Sequence, residues 1–383
     1  MPKMYFIVFF VIALSIYAGM HGFVYWRIAS GLSLPGGQRL ALKLLLVAGA
    51  LAFVSAEFLT RLTPIYPYLF AGSVWLGILA ISLAMFLLEL LLSAVFPQQR
   101  RLFVLCALAA VFIITAGSLV NVALGPVWRD VTIPLPNLPR EMAGFTIVQL
   151  SDLHLGNLAS RRRLRRIVGS VNAMKPDLIC VTGDTLDGDI CRDEGYCEIL
   201  DGLQARHGVV AITGNHEFYA GVEKFMELAR RSHWRVLRNQ SWVIDGRLAI
   251  AGLEEDSAER FKLPGPDLDA ALQGVPPGMP LVLLYHRPAR FKEAVARGVG
   301  LQLSGHTHAG QIPPMDLLVW LIYKYPAGLY RLGQSRIYTS PGTGTWGPPM
   351  RFLSRSEMTR LVLTAGDGAA APTGKYVFPG GRR

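Results

Sequence analysis

The chain has 383 residues, 51% of them apolar, and carries a formal net charge of +11. This length allows about two domains, and the apolar content excludes an ordinary soluble enzyme. The positive charge favours anionic partners, and because no nucleic-acid recognition motif is present, we expect no nucleic acid partner.

The apolar residues are concentrated in residues 1–124, which carry only nine charged side chains and contain four apolar stretches. Each stretch is long enough to cross a bilayer, which needs about 20 apolar residues. The pattern predicts an α-helical membrane domain of about four spans, at residues 4–26, 40–59, 69–96 and 102–124. The first stretch could instead be a signal peptide, but it is too long for one and three more spans follow it.

Charged residues near the spans predict the orientation. The loops between the first and second spans and between the third and fourth hold five basic residues: Arg27, Arg39, Lys43, Arg100 and Arg101. Positive-inside counting places these loops in the cytoplasm and the following domain on the outer face of a bacterial inner or plasma membrane. Four basic residues favour the opposite orientation, with the following domain in the cytoplasm: Lys3, Arg61, Arg129 and Arg140. Glu89 lies deep in the third span, where a carboxylate is by default a candidate functional group. Because the neighbouring spans offer no basic partner, we favour the alternative that it packs inside the bundle or snorkels.

The rest of the chain has a different pattern. Residues 125–142 contain four prolines and predict an extended linker. Residues 143–366 hold short apolar runs rich in β-branched residues, and nearly every run ends in a polar cluster, which predicts a sheet with one active edge. A helix is predicted at residues 161–174, and its basic face is either solvated or contacts an anionic partner. Residues 367–383 are expected to form a flexible basic tail.

The polar clusters contain five of the chain's eight histidines. Together with two acids and one amide, they form the candidate site: Asp152, His154, Asp184, Asn215, His216, His286, His306 and His308. Imidazole, carboxylate and amide oxygen suit divalent metals such as Mn²⁺, Fe²⁺ or Zn²⁺. Any single histidine would more often be structural, but burying all of these groups without a metal would leave many of them unpaired.

These clusters occur in a specific order: Asp152-Leu-His154, Gly183-Asp184, Gly214-Asn215-His216-Glu217, His286 and Gly305-His306-Thr307-His308. In order and residue type they resemble the five motifs of the calcineurin-like metallophosphoesterases. The later segments Gly305–Gln311, Gly328–Arg331 and Ser340–Gly347 resemble the transmembrane branch of that superfamily. One departure is Gly252-Leu-Glu-Glu-Asp256, where relatives usually carry a Gly-x-Asp-Asp turn, and it conserves the charge.

The resemblance implies a layered αββα sandwich of two mixed sheets with two metal ions at one edge, Mn²⁺ being favoured over Fe²⁺ and Zn²⁺. It implies one metal on Asp152, His154 and His308, the other on Asn215, His286 and His306, and Asp184 as the bridge. The implied reaction is hydrolysis of a phosphate ester or phosphoanhydride by a metal-activated hydroxide. His216, as the second catalytic residue beside Asp184, would protonate the leaving oxygen or stabilise its charge. Asp187 is either an orienting partner or an exposed loop acid.

The substrate and the overall role stay open at this point. The resemblance suggests a phosphorylated, lipid-linked substrate, with UDP-2,3-diacylglucosamine as one candidate, although a lipid A precursor would require cytoplasmic placement. The alternative is a catalytically idle membrane sensor or scaffold. Idle relatives usually lose metal ligands, and this chain has lost none, so we expect an enzyme. The oligomeric state is not indicated by the sequence.

Two further features leave alternatives open. Cys191 and Cys197 lie close together in one polar stretch and could form a disulfide in an oxidising compartment or be two free thiols. The segment from Pro313 to Tyr330 is unusually apolar, so it is either core or a lid that contacts acyl chains.

Overall fold

A computed structural model describes residues 3–59, 65–156, 158–188 and 194–366, with every side chain in these ranges except those of residues 3–7, 9 and 194. The chain divides into two compact units. The first comprises Met1–Ala123 with two later segments, Gln311–Leu317 and Gly347–Phe352, and the second comprises Leu124–Gly310, Leu318–Trp346 and Leu353–Arg383. The domain boundaries expected from the sequence stay a prediction.

The first unit is built from long helices. They are α1 (Lys3–Gly31), α2 (Gly36–Leu59), α3 (Tyr66–Val95) and α4 (Arg100–Ala123), with a 3-10 turn at Pro97–Gln99 before α4. Within the described part of the chain, three helices are long and apolar enough to cross a membrane: Gly36–Leu59, Tyr66–Val95 and Pro97–Ala123. The count of three differs from the predicted count of about four. The first predicted span coincides with α1, in which the side chains of residues 3–7 and 9 are not described.

Small residues let these helices approach closely. A Cβ added at Gly49 of α2 would lie 1.9 Å from the indole of Trp75 in α3, and one added at Gly72 would lie 3.0 Å from the carbonyl oxygen of Ala52. Without a strong hydrophobic force between apolar helices in lipid, such close packing is a main source of their association.

The two later segments belong to the same helical unit. Ile312 and Met350 form one apolar cluster with Ile81 of α3 and Ile114 of α4. The backbone N–H of Arg351 donates to the carbonyl of Ser118, 3.3 Å away. The sequence did not indicate this return of the chain to the membrane part.

A buried ion pair joins α1 to α3. Arg27 Nε lies 2.7 Å from Glu89 Oε2, Arg27 Nη2 lies 2.7 Å from Glu89 Oε1, and Ser93 Oγ donates to the same carboxylate at 2.6 Å. The expectation that Glu89 has no basic partner is therefore wrong. Helix α1 continues past the predicted end of the first span to Gly31, so Arg27, assigned to a loop, lies inside the unit.

We predict that Glu89→Ala destabilises the protein by about 3–5 kcal/mol, because it leaves the Arg27 guanidinium buried without its counter-charge. Thermal unfolding of the full-length protein in detergent would show a lowered midpoint. The double variant Arg27→Met with Glu89→Met should recover most of the loss, since it removes both charges together. A single variant that melts like the wild type would show that the pair contributes nothing.

The second unit contains two six-stranded mixed sheets. Their strands are β1 (Val127–Leu135), β2 (Thr146–Leu150), β3 (Leu178–Thr182), β4 (Val209–Ile212), β5 (Arg235–Val236), β6 (Gln240–Ile244), β7 (Leu248–Gly252), β8 (Leu281–Leu284), β9 (Leu301–Ser304), β10 (Gly328–Leu332), β11 (Ser335–Thr339) and β12 (Glu357–Ala365). The first sheet has the order β1-β12-β2-β3-β4-β5 and the second the order β10-β11-β9-β8-β7-β6. Strands β2 to β5 are mutually parallel, as are β7 to β9 and β11, which brings strand C-terminal ends to one edge of each sheet.

Apolar side chains hold the layers together. One core lies between the sheets, where Ile147, Leu178 and Ile212 of the first meet Ile250 and Leu284 of the second. Helices of this unit cover the outer faces: α5 (Arg161–Ala173), α6 (Glu194–Asp201) and α8 (Val222–Arg231) on the first sheet, and α9 (Leu268–Ala271) and α10 (Phe291–Ala296) on the second. Two further helices are α7 (Asn215–Ala220) and α11 (Met315–Ile322), and the first three residues of α11 belong to the first unit. The predicted fold class, a membrane helical part followed by an α/β domain of two mixed sheets, is confirmed.

The predicted linker is largely regular structure. Its residues Val127–Leu135 form β1, which pairs in parallel with β12, and Arg140–Met142 form a 3-10 turn. Pro134 is compatible with β1 because this strand lies at the edge of its sheet, where one side of the backbone needs no ladder partner. The predicted tail, residues 367–383, lies outside the described residues. So does Cys191, and Cys197 is buried in α6, so the disulfide stays untested.

Candidate active site

The candidate residues follow the C-terminal ends of five central strands. Asp152 and His154 follow β2, Asp184 follows β3, Asn215 and His216 follow β4, His286 follows β8, and His306 and His308 follow β9. The structure brings seven of them together in overlapping groups, and Asn215 is buried next to His216 in the chain. Most of the eight are buried. Parallel strands in each sheet thus deliver polar side chains to one edge, as the sequence predicted.

The turns that carry these side chains are strained. Asp152, His154, Asp184, His306 and His308 all have positive φ, between 47° and 71°. Non-glycine residues adopt this region at a cost and persist there only where the surrounding structure fixes them. Two neighbouring glycines permit the close approach: an added Cβ would lie 2.2 Å from Asp184 Oδ1 at position 214 and 2.0 Å from the Ser151 hydroxyl at position 305.

Ligand-type atoms converge in three overlapping groups. The groups are Asp152, His154 and His308; His154, Asp184 and His216; and Asp184, His286 and His306, with the potential ligand atoms of each group within 4.8 Å of one another. His154 Nε2 lies 2.9 Å from His308 Nε2, and His306 Nδ1 lies 3.2 Å from His286 Nε2. Asp184 belongs to two groups and reaches His286 Nε2 at 3.1 Å.

These residues fit divalent cations. Imidazole nitrogens that approach each other this closely cannot both donate to one another, but they can share a cation. The side-chain oxygen of Asn215 is buried without a hydrogen-bond partner, which is unfavourable unless a cation or donor reaches it. The mixture of imidazole nitrogen with carboxylate and amide oxygen suits Mn²⁺, Fe²⁺ or Zn²⁺.

The carboxylates control the protonation of the histidines. Burial alone would lower the pKa of His154, but Asp187, Asp184 and Asp152 raise it to about 9. Burial would likewise lower the pKa of His286, which Asp184 raises to about 10. Burial would raise the pKa of Asp184, yet the neighbouring histidines, His286 first, hold it well below its usual range. The carboxylates thus favour positive charge in this cluster, whether protons or divalent cations supply it.

Asp187 orients two of the imidazoles. Its Oδ1 accepts hydrogen bonds from Nδ1 of His154 at 2.6 Å and from Nδ1 of His216 at 2.7 Å. Burial would raise the pKa of Asp187, but the same two histidines lower it to about 2. Asp187 is an exposed residue, and the geometry nevertheless supports its role as an orienting partner.

Sequence reasoning missed the role of Glu217. Its buried carboxylate accepts backbone N–H bonds from Gly214 at 2.6 Å, Asp184 at 2.9 Å, Thr185 at 2.6 Å and Leu186 at 3.1 Å. Glu217 therefore ties the turn after β3 to the turn after β4. Its place in the Gly-Asn-His-Glu motif was the signal, but composition alone does not show which backbone groups a carboxylate reaches.

The apolar segment after the last motif is exposed. In α11 only Val319 is buried, whereas Leu317, Leu318, Trp320, Leu321 and Ile322 are exposed. Core packing of these five side chains, one of the two alternatives, is therefore wrong. Tyr323 directly follows the helix, and its hydroxyl lies 3.0 Å from His306 Nε2. No sequence signal indicated this contact.

An α/β domain of two mixed sheets with an Asp- and His-rich cluster at the strand ends defines a class, the metallophosphoesterase-like hydrolase fold. The family model described as calcineurin-like phosphoesterase matches residues 145–310. The chain belongs to the calcineurin-like phosphoesterase family, and the resemblance seen in its motifs is confirmed.

Two curated relatives illustrate the range of the family. A "Transmembrane protein with metallophosphoesterase domain" from Danio rerio is 37% identical over 292 residues, covering 72% of this chain and 64% of the relative. An "Uncharacterized metallophosphoesterase" from Aquifex aeolicus is 32% identical over 241 residues, covering 62% of this chain and 91% of the relative. The chain thus spans less than two thirds of the Danio protein's length.

We predict that Glu217→Gln lowers the stability of the protein. The amide nitrogen of glutamine cannot accept a hydrogen bond, so buried N–H groups lose their acceptor, at about 1–3 kcal/mol for each such group. Urea unfolding followed by circular dichroism measures the change. The control Glu223→Gln, at an exposed position of α8, should change little. Equal stability of the two variants would contradict the role given to Glu217.

Proposed function

We propose that the chain is a membrane-anchored phosphoesterase that uses two divalent metal ions to hydrolyse a phosphate ester or phosphoanhydride. The observation that carries the proposal is the convergence of ligand atoms around Asp184, together with the unpaired buried oxygen of Asn215. The family assignment and the membrane-spanning helices of the same chain support it.

The residues divide into two sets that share one carboxylate. Asp152, His154 and His308 would hold one ion, Asn215, His286 and His306 the other, and Asp184 both. Bound divalent ions polarise phosphoryl oxygens and supply hydroxide near neutral pH. The donor set admits Mn²⁺, Fe²⁺ and Zn²⁺, and we favour Mn²⁺ because oxygen donors contribute beside the imidazoles.

His216 is placed to act on the leaving group. Its side chain is more exposed than those of His154 and His308, and its backbone N–H donates to Asp184 Oδ1 at 2.9 Å. The bond from its Nδ1 to Asp187 fixes the ring, so Nε2 is the nitrogen that can donate a proton to a leaving oxygen. Asp187 restrains His154 in the same way, and one carboxylate thereby positions a ligand and an acid together.

A catalytically idle membrane sensor or scaffold is the alternative. An idle chain would have no need to keep strained turns and a full set of buried ligand-type side chains. Both are present, and they support the enzyme.

We further propose a lipid-linked phosphate as the substrate. The membrane helices and the exposed apolar side chains of α11 support this class, and UDP-2,3-diacylglucosamine is one candidate. The charge count of the sequence favoured the outer face of a bacterial inner or plasma membrane, but it included Arg27, which is buried in the helical unit, and without Arg27 the two sides are equal. That candidate would require the cytoplasmic face. A reporter at the C-terminus that is active on only one side of the membrane distinguishes the two placements.

The catalytic proposal predicts Mn²⁺-dependent hydrolysis of an activated soluble phosphoester by the full-length protein, lost on adding a chelator. Asp184→Asn and His216→Ala should each lower kcat by at least about 10²-fold, the scale for losing an electrostatic or acid–base group. Matched controls are Asp245→Asn and His233→Ala, which change exposed residues outside the cluster. Full activity in the first pair would refute the assignment.

The substrate proposal predicts a split between two substrates. Leu321→Ser with Ile322→Ser should spare turnover of the soluble ester but reduce turnover of a lipid-linked phosphate. The reason is that burying each such side chain against lipid provides about 1.5–3 kcal/mol, which positions the scissile bond. The control Leu332→Ser changes another exposed leucine and should spare both substrates. Equal loss on both substrates with a lowered melting temperature would end the lipid hypothesis.

A further inference from the structure

Helix α11 carries an apolar surface whose exposure to water is unfavourable in free energy. The α11 surface consists of four side chains of the second unit: Leu318, Trp320, Leu321 and Ile322, which are 41%, 43%, 73% and 72% exposed. Burying any one of them is worth about 1.5–3 kcal/mol. Four large apolar side chains exposed within five residues of one helix are typical of a binding surface rather than of ordinary surface composition.

The residues that follow identify the kind of partner. Tyr323, Lys324 and Tyr325 come directly after the apolar residues, and the Lys324 ammonium lies 5.4 Å from the ring centroid of Tyr325. Tryptophan, tyrosine and lysine next to an apolar stretch are typical of the membrane–water interface. The helix has eight residues, about 12 Å in length, so it is too short to span a bilayer and suits the interface plane.

The same chain contains helices that anchor it in a bilayer. Its first unit has helices long enough to cross a membrane, and the segment Gln311–Leu317, which contains the first turn of α11, belongs to that unit. Ile312 in this segment packs with Ile81 and Ile114 of the helices α3 and α4. The chain therefore enters α11 from the membrane part, which favours lipid over a soluble protein as the partner.

The C-terminal end of α11 is fixed to the candidate metal cluster. The Tyr323 hydroxyl lies 3.0 Å from His306 Nε2, and the Tyr323 N–H continues the helix by donating to the Val319 carbonyl at 2.9 Å. Thr307 Oγ1 donates to the Pro326 carbonyl at 2.5 Å, in a buried position. These contacts hold the α11 surface at a set position relative to the residues of the last motif.

We propose that α11 is an interfacial membrane helix whose surface enters the acyl region of the bilayer in which the chain is anchored. The contact between Tyr323 and His306 then places the candidate metal cluster at headgroup depth. A phosphate carried by a membrane lipid reaches the cluster without leaving the bilayer. This consequence for substrate access rests on the proposed function, whereas insertion of α11 does not.

The test uses tryptophan fluorescence of the full-length protein in phosphatidylcholine vesicles with brominated acyl chains. The difference between wild type and Trp320→Phe isolates the Trp320 signal from that of the other tryptophans. We expect bromines near the carbonyl groups to remove most of this signal and bromines near the chain ends to remove less, since an interfacial helix inserts by about 5–10 Å. The control Trp242→Phe removes an indole that lies under Arg235 and should isolate a signal that brominated lipid leaves unchanged.

Two further measurements make the result decisive. Leu321→Ser with Ile322→Ser should reduce quenching of Trp320 by brominated lipid and increase quenching by acrylamide from the aqueous phase. A Trp320 signal in the wild type that acrylamide quenches and brominated lipid does not would overturn the proposal. Protection from both quenchers, with a doubled molecular mass, would assign the surface to a second copy of the chain. Mn²⁺-dependent hydrolysis of the soluble ester, measured on the same vesicles, tests the proposed function separately.

Discussion

The neutralisation of Asp184 is the interaction on which the site depends. This carboxylate is almost fully buried at the end of β3, and removing a charge from water is unfavourable unless opposite charge and donors surround it. His286 and His154 supply the charge, and the backbone N–H of His216 supplies a donor. Because these partners come from different strands and from both sheets, the electrostatic requirement and the stacking of the sheets support each other.

A second carboxylate makes this arrangement rigid. Glu217 accepts hydrogen bonds from backbone N–H groups in the turns after β3 and β4. These bonds hold the strained backbone of Asp184 in place. Burial and the charge of Asp184 raise the pKa of Glu217 to about 7. The backbone N–H groups of Gly214 and Leu186 oppose this rise by donating to the carboxylate.

The sequence predicted much of the fold and the site because alternating apolar runs and polar strand ends are local patterns. The eight candidate residues could be chosen since each follows a run that reads as a buried strand. Contacts between distant residues could not be predicted in this way. Arg27 was assigned to a loop because the end of α1 depends on packing rather than composition. The prolines in residues 125–142 predicted a linker rather than strand β1. The strand that pairs with β1, β12, lies at the other end of the domain. Tyr323 and Glu217 act through geometry that residue type does not encode.

The pairing of β1 with β12 has a consequence for the order in which the protein is made. Arg360 Nε donates to Asp130 Oδ1 across this pair, which joins residues 230 positions apart. While the chain leaves the ribosome, the membrane helices emerge before β1, and β1 emerges while its parallel neighbour β12 is still unsynthesised. The first sheet lacks β12 between β1 and β2 until residue 365 has been synthesised. Non-local pairing of this kind is slow and leaves strand edges open in the meantime, which exposes the nascent domain to aggregation.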